Sequence, residues 1–168
     1  MTAIEYIQRQ IAQVRFFATD VVQDLTDEQL NFPAPGTTNT IGAIYLHMTT
    51  SEDSFINSVI QGKPRIWDSE DWANKINIST PPARGDWSGV KDKSLAVASV
   101  VAYKTAVHAA TAAFLATLTD DDLARQLSFR GNGETVADIL TRFVTHTSFH
   151  TGEIAAIKGV HGLKGLSF

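Results

Sequence analysis

This 168-residue sequence predicts an all-α fold, a four-helix bundle carrying short extra helices and one long connection. Two observations carry that expectation. Apolar residues recur at intervals of three and four over four long segments, the spacing that gives a helix one buried face. Hydroxyl and acidic residues suited to helix N-caps stand at the head of several elements. With 43% hydrophobic residues the chain can fill the core of one ordinary domain without crosslinks, so one domain over residues 1–168 is expected.

The first stripe runs Ile4, Ile7, Ile11, Val14, Phe17, Val21 and Leu25. A second runs Ile41, Ile44, Tyr45, Met48, Phe55 and Val59 until Gly62 and Pro64 stop it. The third covers residues 95–118, is rich in alanine, and places Val97, Val100, Val101, Val107, Phe114 and Leu118 on its apolar side. The fourth carries Val136, Ile139, Leu140, Phe143, Ile154, Ile157 and Val160, with Gly159 and Gly162 suited to its end.

Two short helices are announced by matching caps. Leu25-Thr26-Asp27-Glu28-Gln29-Leu30 and Leu118-Thr119-Asp120-Asp121-Asp122-Leu123 each offer a Thr cap with Gln29 or Asp122 at the third helical position. Downstream, Thr40-Ile41-Gly42-Ala43-Ile44 opens the second long helix much as Thr135-Val136-Ala137-Asp138-Ile139 opens the fourth. The pattern predicts two related halves, set against the alternative that capping signals recur wherever helices begin. Residues 62–94 between them hold Pro64, Pro81, Pro82, Gly85 and Gly89 with all three tryptophans, Trp67, Trp72 and Trp87. A connection this long and this aromatic is expected to pack on the bundle, either as a lid over a pocket or as structural glue.

Composition removes several functions. Lys plus Arg number 14 against 18 Asp plus Glu, a formal charge of −4, so there is no basic footprint for nucleic acid and no cationic surface anchor for membranes. Without cysteine there is no disulfide, no thiolate ligand and no Cys nucleophile. The charged, amphipathic start of the chain is unlike a signal peptide, and no apolar stretch is expected to reach the ~18 to 20 residues of a membrane span. A cytoplasmic protein is the expectation.

His146 and His150 lie four apart within the fourth helix and so leave the same face one turn apart, in reach of one ion. Two histidines at this spacing are a weak signal alone. Thr147 stands where a His-Glu-x-x-His metalloprotease requires Glu, which removes that mechanism. His47 adds the third ligand: its one-turn relation to Ile44 and two-turn relation to Ile41, beside Met48, turn it inward, and a bundle builds metal sites from inward side chains on facing helices. Three histidines with no cysteine leave an open position, the usual catalytic form for zinc, and imidazoles also suit nickel, copper and iron. Glu153 shares the face of His146 and His150 and can orient an imidazole or take a proton; a salt bridge to Arg142 or Lys158 is its plain structural alternative. Ser51, one turn beyond His47, can line the same pocket, while His108 and His161 have no partner at ligand spacing.

Thr40-Ile41-Gly42-Ala43-Ile44-Tyr45-Leu46-His47, preceded by the Leu25 motif and Pro33-Ala34-Pro35-Gly36, resembles the first half of a DinB-like (DinB/YfiT) protein. Thr145-His146-Thr147-Ser148-Phe149-His150-Thr151-Gly152-Glu153-Ile154 resembles the C-terminal helix of that family. The resemblance spans nearly the whole chain, the tryptophan-bearing middle being least typical. It implies an atypically connected four-helix bundle, commonly a homodimer, with a three-histidine site for nickel or zinc formed here by His47, His146 and His150. Some relatives replace one ligand by Glu; this sequence keeps His at all three places. It also implies metal-dependent transferase or isomerase chemistry with low-molecular-weight thiols, and no binding to DNA. Thiol-dependent S-transfer is therefore the leading expectation, with a metal-dependent hydrolase or a non-catalytic binding module as alternatives. The homodimer has support of its own in the third helix, which between Ser94 and Asp120 carries no charge but Lys104.

Overall fold

The structure, a computed structural model, describes all residues except 33–35, 37, 38, 84, 91 and 168. The Pro33-Ala34-Pro35 part of the family resemblance thus lies outside the described residues. The described residues form, in order, α1 (Ala3–Asp20), α2 (Asp27–Leu30), α3 (Ile41–Asp53), α4 (Ile66–Ser69), α5 (Trp72–Ile76), α6 (Val97–Leu115), α7 (Asp120–Leu123) and α8 (Val136–Val160), of which the long helices α1, α3, α6 and α8 make the bundle. A two-stranded antiparallel hairpin, β1 (Gln126–Phe129) and β2 (Asn132–Thr135), precedes α8.

The central element is α3, which packs against both α6 and α8 while α2 and α4 close its remaining sides. Every residue of it except Ser51 is buried, including Thr49, Thr50, Glu52 and Asp53. The sequence predicts a one-sided apolar stripe here; the structure buries the helix on nearly all sides because α2, α4, α6 and α8 surround it. It continues without a break into a π-helical segment, Ser54–Ile60. π-helical turns are rare and frequently lie at functional sites.

Burying polar groups costs several kcal/mol each unless they are bonded, and here each is. Asp53 accepts from the backbone N–H of Ile66 and of Trp67, both at 2.9 Å, from the Tyr103 hydroxyl at 2.7 Å and from the Asn57 amide at 2.8 Å. It thereby fixes the start of α4 and ties α3 to α6. Glu52 accepts from Arg15 of α1 and, at 2.9 Å, from the Thr111 hydroxyl of α6, with His108 Nε2 at 3.4 Å.

The caps form as the sequence predicts. Thr26 and Thr119 make capping boxes with Gln29 and Asp122, and Thr135 makes one with Asp138. Long, short and long helices follow one another twice, and the halves exchange one contact. Asp27, first residue of α2, accepts from Val97 N–H at the head of α6 at 2.8 Å; Asp120, first residue of α7, accepts from Ile4 N–H near the head of α1 at 2.9 Å. Each short helix thus satisfies a free N–H of the other half's long helix.

Several expectations need correction. The first helix ends at Asp20, and Val21, Val22 and Leu25 reach the core from the turn that follows. Residues 62–94 hold α4, α5 and an antiparallel bridge between Ala83 and Asp86, where the composition suggests a plain loop. Helix α6 is, by length and composition alone, long and apolar enough to cross a membrane, contrary to the sequence expectation. In the structure it packs in the bundle through Val100, Tyr103, Lys104, Val107, Thr111 and Leu115.

Burial pushes the Glu52 carboxyl upward, but His108 and Arg15 overcome it and hold the group at about 2, below its usual 4.5. The folded state thus binds fewer protons than the unfolded one between those values. The stabilisation is complete above the unfolded pKa and is lost as pH falls through the folded one. Urea unfolding from about pH 5 to about pH 2.5 is expected to show a decline on the order of 3 kcal/mol from this group, absent in Glu52→Gln.

Candidate metal centre

Helix α3 carries His47, and α8 carries His146 and His150 on its facing side. Each imidazole offers one nitrogen such that all three lie within 4.8 Å of one another. His47 Nε2 and His146 Nε2 are 3.1 Å apart, and the ring centres of His146 and His150 are 4.5 Å apart. Nitrogens that share a tetrahedral ion at bond lengths of ~2.0–2.1 Å stand about 3.3 Å from each other, so the closest pair is near ligating distance.

The donor set also has the right protonation. His47 Nδ1 donates to the Pro82 carbonyl at 3.0 Å, and His150 Nδ1 donates to Glu153 Oε2 at 2.7 Å. With the proton held at Nδ1, Nε2 of each ring keeps its lone pair for a metal. Desolvation lowers the pKa of His47, and the neighbouring His150 adds to it against the opposing Pro82 bond. Desolvation, then His150 and His47, and then Arg130, bring His146 down to about 3. Neutral imidazoles are the form a metal requires. His146 Nδ1 is buried and has no hydrogen-bond partner among the described residues.

A cavity of about 220 Å³ opens on His47 and His146. Ser51 and Ser54 line it from the α3 side, Ala83 and Gly85 from the connection, and Phe129 and Arg130 from the hairpin. Of the three tryptophans only Trp87 touches the site, its ring 4.9 Å from that of His47. Trp67 and Trp72 pack instead on Tyr103 in the core, so residues 67–87 act mainly as glue and only their far end as a cover. Glu153 bonds to His150 rather than to Arg142 or Lys158, which pair with Glu134 and Asp24. His108 sits beside Glu52 and His161 stacks on Phe32, both apart from the three histidines.

Sequence reasoning missed three contributors. Pro82 acts through its carbonyl, which no side-chain pattern reveals. Arg65 lines the cavity but is committed to Asp68 at 2.8 Å. Arg130 makes no ion pair or hydrogen bond among the described residues and lies over the Phe129 ring. It sits with Gly131 at the hairpin tip, with φ of 55° and 81°, the type I′ geometry that a two-residue loop favours. Arg130-Gly131-Asn132-Gly133 could have flagged that turn.

The sequence profile of the DinB superfamily matches residues 10–154. The chain belongs to the DinB superfamily. Among solved structures, a conserved protein from Enterococcus faecalis superposes with a TM-score of 0.78 at 14% identity, over 94% of this chain and 96% of that one. A DinB-like protein from Bacillus cereus gives 0.67 at 16% identity, over 98% and 96%. YfiT from Bacillus subtilis, described as a probable metal-dependent hydrolase with an unusual four-helix bundle topology, gives 0.65 at 20% identity, over 96% and 89%. At these identities the likeness establishes the DinB-type four-helix fold. A search of curated proteins finds no significant match.

If the three histidines form one centre, His47→Ala, His146→Ala and His150→Ala each bring bound zinc or nickel far below one per chain, with the far-UV helical signal retained. Glu153→Gln weakens metal affinity by about 10- to 100-fold without abolishing it. Metal analysis and circular dichroism of the four variants, beside the parent, check both statements; equal metal content throughout would remove the site.

Proposed function

We propose that this DinB-superfamily protein is a metal-dependent enzyme in which His47, His146 and His150 hold one divalent ion, nickel or zinc, and a small anionic substrate docks beside it. The observation that carries the reading is the convergence of three imidazoles, two with Nδ1 engaged by an acceptor on the far side, without a carboxylate joining the group among the described residues. A structural zinc site is usually closed by four protein ligands, and this set leaves a position open. An ion held there supplies Lewis acidity that turns a thiol or a water into a nucleophile near neutral pH.

The chain's own residues supply the rest. Pro82 and Glu153 hold the Nδ1 protons of His47 and His150. Trp87 and Phe55 flank the imidazoles and limit water, which strengthens charge interactions in the cavity. The free guanidinium of Arg130 lines the same cavity and is placed to receive a carboxylate or phosphate of the substrate.

Two chemistries fit. Thiol transfer to an electrophile is favoured because Glu153, the nearby carboxylate, is engaged by His150 and leaves no evident base, while a thiol ionises with less help than water. Hydrolysis is favoured by the likeness to YfiT. The discriminating experiment is a cobalt-substituted sample titrated with small thiols. The expected result is a sulfur-to-cobalt charge-transfer band, with anionic thiols binding tighter than neutral ones and Arg130→Ala raising the KM for anions by about tenfold. No band with any thiol, together with turnover of simple esters or amides, supports hydrolysis. Neither band nor turnover leaves a non-catalytic binding module.

We further propose a homodimer through α6, whose exposed Ala102, Ala109 and Ala113 form a smooth face of small side chains. Light scattering at micromolar concentration is expected to give twice the 18.3 kDa chain mass, and the single mass would exclude the dimer.

A further inference from the structure

A cavity on the α6 side lies apart from His47, His146 and His150. It measures about 550 Å³, lies between the end of α1, α3 and α6, and shares no lining residue with the metal cavity. Its walls are apolar, with Tyr45, Val97, Ala98 and Val101, yet Lys104 and His108 line it as well.

Lys104 is 6% exposed, and its ammonium sits 4.3 Å from the centre of the Tyr45 ring. It makes no hydrogen bond or ion pair among the described residues. An ammonium has three donors, and without a protein acceptor among the described residues those of Lys104 are left to face the cavity that it lines. The neighbouring charges do not balance it. Glu52 is the one carboxylate of the buried cluster and is occupied by Arg15 and Thr111, so two cations face one anion. Asp27, at the rim, is spent on the Val97 N–H. Burial brings Lys104 down to about 7, with Glu52 pulling it up and Arg15 pushing it down, as expected for a cation that lacks a counter-charge.

We propose that this cavity is a second ligand site, separate from the metal centre, that accepts an amphiphilic monoanion of the medium-chain carboxylate type. The carboxylate accepts hydrogen bonds from Lys104, and from His108 when that ring presents N–H to the cavity. The alkyl body lies on Val97, Ala98 and Val101. A charge-assisted bond beside an apolar wall selects the acid over a neutral analogue of equal length.

The test compares octanoate with 1-octanol on the metal-replete protein, followed by NMR of the valine methyls and of the Trp87 indole N–H. The expected result is shifts at Val97 and Val101 with the Trp87 signal unmoved, and octanoate at least about tenfold tighter than octanol. Lys104→Met is expected to bind the two equally, and Val101→Trp, which fills the cavity while keeping the lysine in the sequence, to bind neither. Should Lys104→Met fail to fold, Val101→Trp still decides. Equal affinity in the parent protein, shifts at Trp87 alone, octanoate binding retained in Val101→Trp, or no valine shift at all would each overturn the proposal.

Discussion

The constraint that organises this molecule is the burial of α3 on nearly every side. A helix with one wet face can leave its polar residues there, but α3 is buried at every residue except Ser51, so its polar groups must be satisfied inside the protein. Thr49 and Thr50 bond back to carbonyls of the helix itself, whereas Glu52, Asp53 and His47 are satisfied from neighbouring elements and so fix them. Asp53 sets α4 and bonds to Tyr103 of α6, Glu52 draws in Arg15 of α1 and Thr111 of α6, and His47 engages the Pro82 carbonyl and faces His146 of α8. Apolar packing alone is tolerant of sliding and rotation, whereas hydrogen bonds of this kind have one geometry. The three-histidine cluster is one member of this set, and it inherits the rigidity of the others.

Fold and site were unequally legible in the sequence. The i, i+4 pair His146 and His150 and the caps at Thr26, Thr119 and Thr135 are local signals, and local signals survive in one dimension. His47 was legible because its phase relative to Ile44 and Met48 is also local. What could not be read depends on contacts between distant segments. Glu52 and Asp53 look like residues at the solvated edge of an amphipathic helix until Arg15 and the head of α4 are seen against them. Trp67 and Trp87 look equivalent, yet one packs on Tyr103 and the other on His47, a difference set by where the backbone of residues 62–94 runs. Arg130 reaches the cavity only because a hairpin of two short strands, too brief to show a clear alternation, turns there.

The two-half organisation has a physical counterpart in the reciprocal bonds of Asp27 and Asp120. Similar sequences at the heads of α2 and α7 alone would show only that short helices start alike. That each aspartate satisfies the opening N–H of the other half's long helix shows that the halves are arranged alike as well. The three histidines sit where they meet, with His47 from one half and the histidine pair from the other. A cluster built across such a seam draws its members from helices that are packed by the same core.

The acceptor that orients His47 is a main-chain carbonyl, whereas the one that orients His150 is a side chain. This difference sets how the centre tolerates inherited change. Any substitution at position 153 that removes the carboxylate releases the His150 ring at once. Residue 82 can be exchanged freely so far as that bond is concerned, because every amino acid brings the same oxygen, and only an insertion, deletion or rerouting of the connection would withdraw it. Lineages carrying this fold could therefore diversify the side chains around the mouth of the cavity while keeping one of its three ligands in register, and variation in length, rather than in composition, is what that stretch of chain could least afford.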